Sequence, residues 1–137
     1  MADLFLLDTH CWVWLVSGAG GKFQRKSLKA IERACTRGEC LVSVMSVWEV
    51  GMLAAKGRLR LRIPVEQWVR SALEPPGLNL VPLSLEAALG ASALSGDFQG
   101  DPADRLLVAT ARQLQAIFVT ADERLLRYGE YCSLLRA

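Results

Sequence analysis

The stretch Gly100–Leu126 reads GDPADRLLVATARQLQAIFVTADERLL, and the order of elements inside it decides the fold class. Asp101 reads as a helix N-cap, Pro102 fits the first helical position and Asp104 falls in the first turn. Leu107, Ala111 and Leu114 then recur at helical spacing and give the helix an apolar stripe. At Ala116-Ile117-Phe118-Val119 the pattern changes to a short apolar, partly β-branched run, which reads as a buried strand. That strand stops at Thr120, and Asp122 is expected to open a short helix over Glu123–Arg127. Asp104 therefore starts a helix, and Asp122 sits just past the strand that the helix feeds. In an open α/β sheet the crevice beyond the carboxyl ends of the strands is where ligands bind.

The rest of the chain repeats this alternation. Leu4-Phe5-Leu6-Leu7 is a continuous apolar run ended by Asp8, as in a strand buried on both faces. Asp8-Thr9 leads into a short helix over His10–Val16, apolar nearly all round, whose Trp12 and Trp14 suit either the core or a partner face. Ser17–Gly21 is a loop, and Lys22 after it does not complete a phosphate-loop pattern. Ser27–Arg37 reads as a basic amphipathic helix closed by Gly38 at C′. Leu41–Ser43 is a second strand, Met45–Lys56 a helix with Glu49 in its middle, and Pro64–Leu73 another helix carrying Trp68. Leu78–Val81 is a third strand, Ser84–Leu94 a helix capped by Ser84, Gly96–Gly100 a loop, and Tyr131–Leu135 a final edge strand. Helices alternating with strands imply an α/β fold, a three-layer α/β/α sandwich on a mostly parallel sheet of about four to five strands. The 137 residues read as one domain, 1–137, long enough for a real core.

Composition narrows the partners. A formal net charge of +2 creates no overall field for a polyanion, so any nucleic-acid surface has to be a local patch. Lys56, Arg58, Arg60 and Arg62 form one alternating basic run, either a solvated face or an RNA-phosphate patch. Cys11, Cys35, Cys40 and Cys132 lack metal-ligand spacing, and MADLFLLD lacks the pattern of a signal peptide. Thiols in a cytoplasmic protein are the expectation. No apolar run is long enough for a membrane span.

Few residues are left for chemistry. His10 is the one histidine, so a multi-histidine metal site is excluded, and His10 and Cys11 are helix neighbours that do not face each other. What remains are carboxylates at element ends, Asp8, Asp101, Asp104 and Asp122, together with Glu49. Asp8 and Asp122 both follow buried strands and so arrive at the same edge of a parallel sheet. Several carboxylates brought together raise one another's pKa, and a hard divalent cation offsets that repulsion. Carboxylate oxygens without His or Cys suit Mg²⁺ or Mn²⁺. Such an ion activates water and stabilises charge on a phosphodiester. Asp101 and Asp122 are also explicable as helix caps alone.

Four motifs stand in the order LLDT (Leu6–Thr9), SVMSVWEV (Ser43–Val50), DPADRLLVATA (Asp101–Ala111) and VTADERL (Val119–Leu125). Each alone is weak, but the ordered set resembles the PIN-domain nucleases over nearly the whole chain. More closely, it resembles the VapC-type toxins of bacterial toxin–antitoxin pairs. The resemblance implies that Asp8, Glu49, Asp104 and Asp122 form a Mg²⁺ site in which Mn²⁺ can substitute. Asp101 belongs to the DPxDR variant and lies beside the site, ranking lower as a ligand. Thr9 and Thr120 match hydroxyl positions that order carboxylates or metal-bound waters.

It further implies an endoribonuclease that hydrolyses RNA by metal-activated water, a homodimer, and a VapB-like antitoxin whose tail lies in a groove by the active site. The helix with Trp12 and Trp14, together with Trp48 and Trp68, would suit that groove. Arg105, Lys56 and Arg58 are candidates for phosphate contacts. Two other readings compete. A HAD-like phosphatase also begins with a strand ending in Asp, but it needs a second Asp where His10 stands and gives Glu49 no role. A non-catalytic α/β module binding RNA or protein would use its acids only as caps, and would bind no Mn²⁺.

Overall fold

The computed structural model describes residues 3–94, 98 and 100–137. The elements run β1 (Phe5–Leu7), α1 (Thr9–Val16), α2 (Arg25–Thr36), β2 (Cys40–Ser43), α3 (Val44–Ala55) and α4 (Val65–Ala72). There follow β3 (Leu78–Val81), α5 (Leu85–Ser92), α6 (Pro102–Leu114), β4 (Ile117–Thr120) and β5 (Leu134–Arg136). The five strands form one sheet in the order β3-β2-β1-β4-β5, and every pairing is parallel. The chain goes outward from β1 in one direction through β2 and β3, then crosses back to β4 and β5 on the other side. The reversal falls between β1 and β4, which is the switch point where α/β sheets open their ligand crevice.

Side-chain alternation along the strands builds both sides of the core. Phe5, Leu7, Cys40, Val42 and Val119 point to one face, where Trp12, Ile31, Ala34, Val50 and Ala72 cover them. Leu6, Leu41 and Phe118 point to the other, under Leu107, Val108 and Ala111 of α6. Leu6, Leu7, Val42, Phe118 and Val119 are completely buried, each worth about 1.5–3 kcal/mol of transfer from water. The sheet is thus closed in by helices above and below. Gly38 closes α2 at φ +71°, a conformation glycine adopts without the Cβ penalty.

Three elements differ locally from the sequence expectations. Helix α2 begins at Arg25 rather than Ser27, with Gln24 at its N-cap giving no side-chain hydrogen bond. The last strand is Leu134–Arg136 rather than Tyr131–Leu135, held in register against Phe118, Val119 and Thr120. The helix expected over Glu123–Arg127 is a turn and then a 3₁₀ segment, Leu125–Arg127. There Asp122 Oδ1 accepts the Arg124 N–H at 2.9 Å, a local side-chain bond that makes a turn in place of a first α-helical turn. The Gly96–Gly100 loop falls largely outside the described residues, as do Met1 and Ala2. All four cysteines are free thiols. No helix among the described residues is long and apolar enough to cross a membrane.

Trp12 is core. It is completely buried, donates from Nε1 to the Ala72 carbonyl at 3.1 Å, and meets Trp68 edge-on with ring centroids 5.2 Å apart. A partner could not reach it without unfolding α1, which corrects its assignment to a partner groove. Trp14 packs edge-on against Phe23 beneath Lys22. Trp48 is 55% exposed and stays available to a partner. Trp68 also lines a cavity of about 660 Å³ with Leu15, Val16, Cys35 and Pro75. That cavity sits where α2 and the Pro75–Leu78 segment lead into β2 and β3, at the edge of the sheet opposite Asp8.

Candidate active site

Four elements deliver carboxylates to the carboxyl edge of the sheet. Asp8 ends β1 and caps α1, its Oδ1 accepting the Thr9 N–H at 2.8 Å. Its Oδ2 accepts from Thr120 Oγ1, at the end of β4, at 2.6 Å. Thr120 Oγ1 in turn accepts the Asp122 N–H at 3.1 Å, so one hydroxyl ties Asp8 to Asp122 across the switch point. On the other side Thr9 Oγ1 donates to Glu49 Oε1 at 2.6 Å and pairs with Ser46 Oγ at 2.9 Å. A hydroxyl has a single proton, and the carboxylate takes it, so Ser46 donates into Thr9. Thr9 and Thr120 thus each give a hydroxyl proton to one of the acids. Ser46 was not expected: it lies one helical turn before Glu49, and that i,i+3 spacing on one face of α3 is the signal that could have found it.

Helix α6 brings the remaining pair. Asp101 and Asp104 form a reciprocal capping box. Asp104 N donates to Asp101 Oδ1 at 2.9 Å, and Asp101 N to Asp104 Oδ2 at 3.1 Å. Asp101 is exposed and works as a cap, whereas Asp104 is only 7% exposed. Gly100 makes room for this turn, since a Cβ there would stand 2.7 Å from Asp104 Cβ and 2.4 Å from the Phe98 ring.

The electrostatics express the crowding. Burial raises the Asp8 carboxyl above its usual range, against the hydrogen bonds from Thr120 and Thr9. Glu49 is raised for the same reason, with Asp8 and Asp101 adding to it. Asp104 is pushed up to about 7 by burial and then by the charges of Asp101, Asp8 and Glu49. Asp122 alone goes down, because Arg124 bonds to it.

A stability prediction follows from Asp104. A carboxyl raised on folding stabilises the protein in its protonated form, fully below about pH 4 and progressively less as pH climbs through about 7. In metal-free buffer, Asp104→Asn should therefore melt higher than the wild type at pH 8. The two should converge at pH 4.5, since Asn keeps the acceptor for Asp101 N. Thermal melts at the two pH values check this, and a wild type that gains on Asp104→Asn between pH 4.5 and 8 contradicts it.

In the arrangement seen, no three His, Cys, Asp or Glu side chains among the described residues close around a common ion position. The donor set nonetheless suits a hard divalent cation: Asp8, Glu49, Asp104 and Asp122 offer only carboxylate oxygens. The bonded oxygens of Asp8, Glu49 and Asp104 each keep a second lone pair, whereas Asp122 Oδ1 already accepts from both Arg124 N and Arg124 Nε. The repulsion recorded in Asp104 is the cost such a cation would relieve. Hydrogen bonds to Thr9, Thr120 and Arg124 define the side chains that must shift to admit it.

The phosphate-contact candidates divide. Arg105 is committed elsewhere: its guanidinium lies 3.4–3.5 Å from the carbonyls of Ala91, Leu94 and Phe98 and over the Phe98 ring. These contacts turn its head group toward Ala91, Leu94 and Phe98. Lys56, Arg58, Arg60 and Arg62 are all exposed, while Leu59 and Leu61 between them pack on the core. None of the four makes an ion pair among the described residues. Lys56, the C-cap of α3, follows Glu49 by seven residues, about 10 Å along the axis. Arg124 was not foreseen, although its position two residues after Asp122 marks it.

Known proteins share this architecture. The family model described as the PIN domain matches residues 5–131. Ribonuclease VapC22 of Mycobacterium tuberculosis is 37% identical over 120 residues, covering 88% of this chain and 88% of that protein. Among solved structures, a DNA-bound VapBC of Salmonella typhimurium superposes with a TM-score of 0.71 at 12% identity, over 98% of each chain. A toxin–antitoxin complex from Klebsiella pneumoniae gives 0.63 at 22% identity, over 95% of this chain and 94% of that one. The parallel sheet, the acids at its carboxyl edge and the extent of these matches lead to one assignment: the chain belongs to the PIN-domain family and, within it, to the VapC type.

Proposed function

We propose that this protein is an endoribonuclease that depends on a divalent ion, Mg²⁺ by preference, and acts as the toxin of a toxin–antitoxin pair. The observation that carries the reading is the gathering of Asp8, Glu49, Asp104 and Asp122 from separate elements at the β1/β4 switch point. Two buried hydroxyls, Thr9 and Thr120, brace them. Caps need no such bracing, and a strand-terminal acid raised by burial is a poor cap with which to stabilise a fold. Family membership and 37% identity to a protein named as a ribonuclease favour the same activity. A HAD-like phosphatase would need an acid at the position of His10 and would leave Glu49 idle.

The protein's own residues do the following. Thr120 and Thr9 donate to Asp8 and Glu49 and so favour their ionised forms. Burial and the neighbouring acids push the Asp104 carboxyl up to about 7 in the metal-free chain, and a bound cation would favour its ionised form. Lys56 and Arg58 offer exposed positive charge to the RNA backbone. When bound, a divalent ion supplies an activated water and stabilisation of charge at the phosphodiester.

The partners are an RNA substrate, a VapB-like antitoxin and a second copy of the chain. For the homodimer, Val44 and Trp48 on α3, Leu80 on β3, and Leu85 and Leu89 on α5 contribute exposed apolar surface.

The end chemistry of the cut RNA tests the reaction class. Hydrolysis by water predicts 5′-phosphate and 3′-hydroxyl ends, and cleavage that stops in EDTA. End-labelled products carrying 2′,3′-cyclic phosphate would overturn it, because they require attack by the ribose hydroxyl.

A further inference from the structure

Arg124 covers the acids. Its Nε lies 3.3 Å from Asp122 Oδ1 and its Nη2 3.0 Å from Asp122 Oδ2, so both oxygens of that carboxylate are taken. The same Nη2 stands 3.8 Å from Asp104 Oδ2, so one guanidinium spans two carboxylates carried by different elements. Among the described residues it is the one lysine or arginine ion-paired to any of the four acids. The fold does not need this bridge. The turn is already held by the Arg124 N–H on Asp122 Oδ1 and by Leu125 N on the Asp122 carbonyl at 3.0 Å. An ion pair this exposed, with the Arg124 side chain 53% accessible, contributes little to folding.

We propose that Arg124 is an internal counter-cation which competes with the divalent ion for Asp104 and Asp122 and, once displaced, binds the phosphate of the RNA. The proposal rests on the metal-nuclease reading above. Because both Asp122 oxygens are bonded to the guanidinium, ligation of Asp122 by a divalent ion would require Arg124 to release one of them, and the ion's double charge would repel the head group. The backbone bond to Asp122 keeps the residue beside the site while its half-exposed head swings. The next anion to arrive is the phosphodiester, whose oxygens match the guanidinium fork as a carboxylate's do.

The test is calorimetric titration of Mn²⁺ into the full chain, free of antitoxin, at pH 8, comparing wild type, Arg124→Gln and Arg124→Lys. Arg124→Gln should take up Mn²⁺ about three- to fivefold more tightly, the change that a half-exposed ion pair corresponds to. Arg124→Lys, a point charge without the fork, should fall between. The Mn²⁺-loaded chains are then titrated with adenosine 5′-monophosphate, which offers a phosphate and no internucleotide bond to cut. Its affinity should drop about tenfold in Arg124→Gln, for the lost charge-assisted hydrogen bonds. Mn²⁺ uptake equal to or weaker than wild type in Arg124→Gln, or unchanged nucleotide affinity, overturns this proposal alone. No Mn²⁺ uptake by any of the three chains overturns the metal-nuclease reading and this proposal with it.

Discussion

Asp8→Asn should slow RNA cleavage by about a thousandfold or more while leaving the chain folded. Asn caps helices as well as Asp does, and its carbonyl oxygen can still accept the Thr9 N–H that Asp8 holds at 2.8 Å. Thr120, which now donates to Asp8, can rotate to accept from the new amide. What disappears is a charge that burial already makes costly, so the melting temperature at pH 8 should be unchanged or higher. A residue kept for stability would behave in the opposite way. Cleavage rates and melts on the same preparation check the prediction. A variant that cuts RNA normally removes Asp8 from the chemistry, and one that melts several degrees lower makes it a structural acid.

Trp12→Ala should cost about 3–5 kcal/mol, the range for truncating a buried aromatic and a large part of the total stability of a typical domain. The indole is completely buried. Its removal breaks the edge-on contact with Trp68 and strips the Ala72 carbonyl of its donor. Trp48→Ala is the control, because a side chain 55% exposed should change stability by less than about 0.5 kcal/mol. Urea titrations of the two variants separate core from surface. If Trp12→Ala unfolds at the wild-type midpoint, Trp12 is not the anchor described here.

The contrast between these tryptophans shows where sequence reading stops. Periodicity identified α1 as apolar nearly all round, which left open whether Trp12 met the core or a partner. The answer depended on α4, sixty residues away, supplying Ala72 and Trp68. The strands were legible because Phe5–Leu7 and Phe118–Val119 are uniformly apolar runs. Asp8, Asp104 and Asp122 stood out because they follow those runs or open a helix, whereas Glu49, in the middle of α3, was singled out only by the family resemblance. The strand order was not, since no local pattern encodes which strand lies beside which. Nor was the bracing of the site: Thr9 reaches Glu49 across 40 positions and Thr120 reaches Asp8 across 112. The surroundings of Arg105 were hidden for a related reason. Beside Asp104 in sequence it reads as a phosphate contact, and that pattern says nothing of the Leu94 and Phe98 carbonyls its head group meets at 3.4 Å. Short-range patterns report elements and caps; partners distant in sequence decide what each charged side chain does.

The central claim is that these four acids make a metal-dependent ribonuclease. Its most direct test is incubation of total RNA with the purified chain, freed of antitoxin, in Mg²⁺, in EDTA, and in EDTA followed by excess Mg²⁺. Discrete cleavage products are expected with Mg²⁺, none with EDTA, and their return when Mg²⁺ is restored. Cleavage that persists undiminished in EDTA would contradict it.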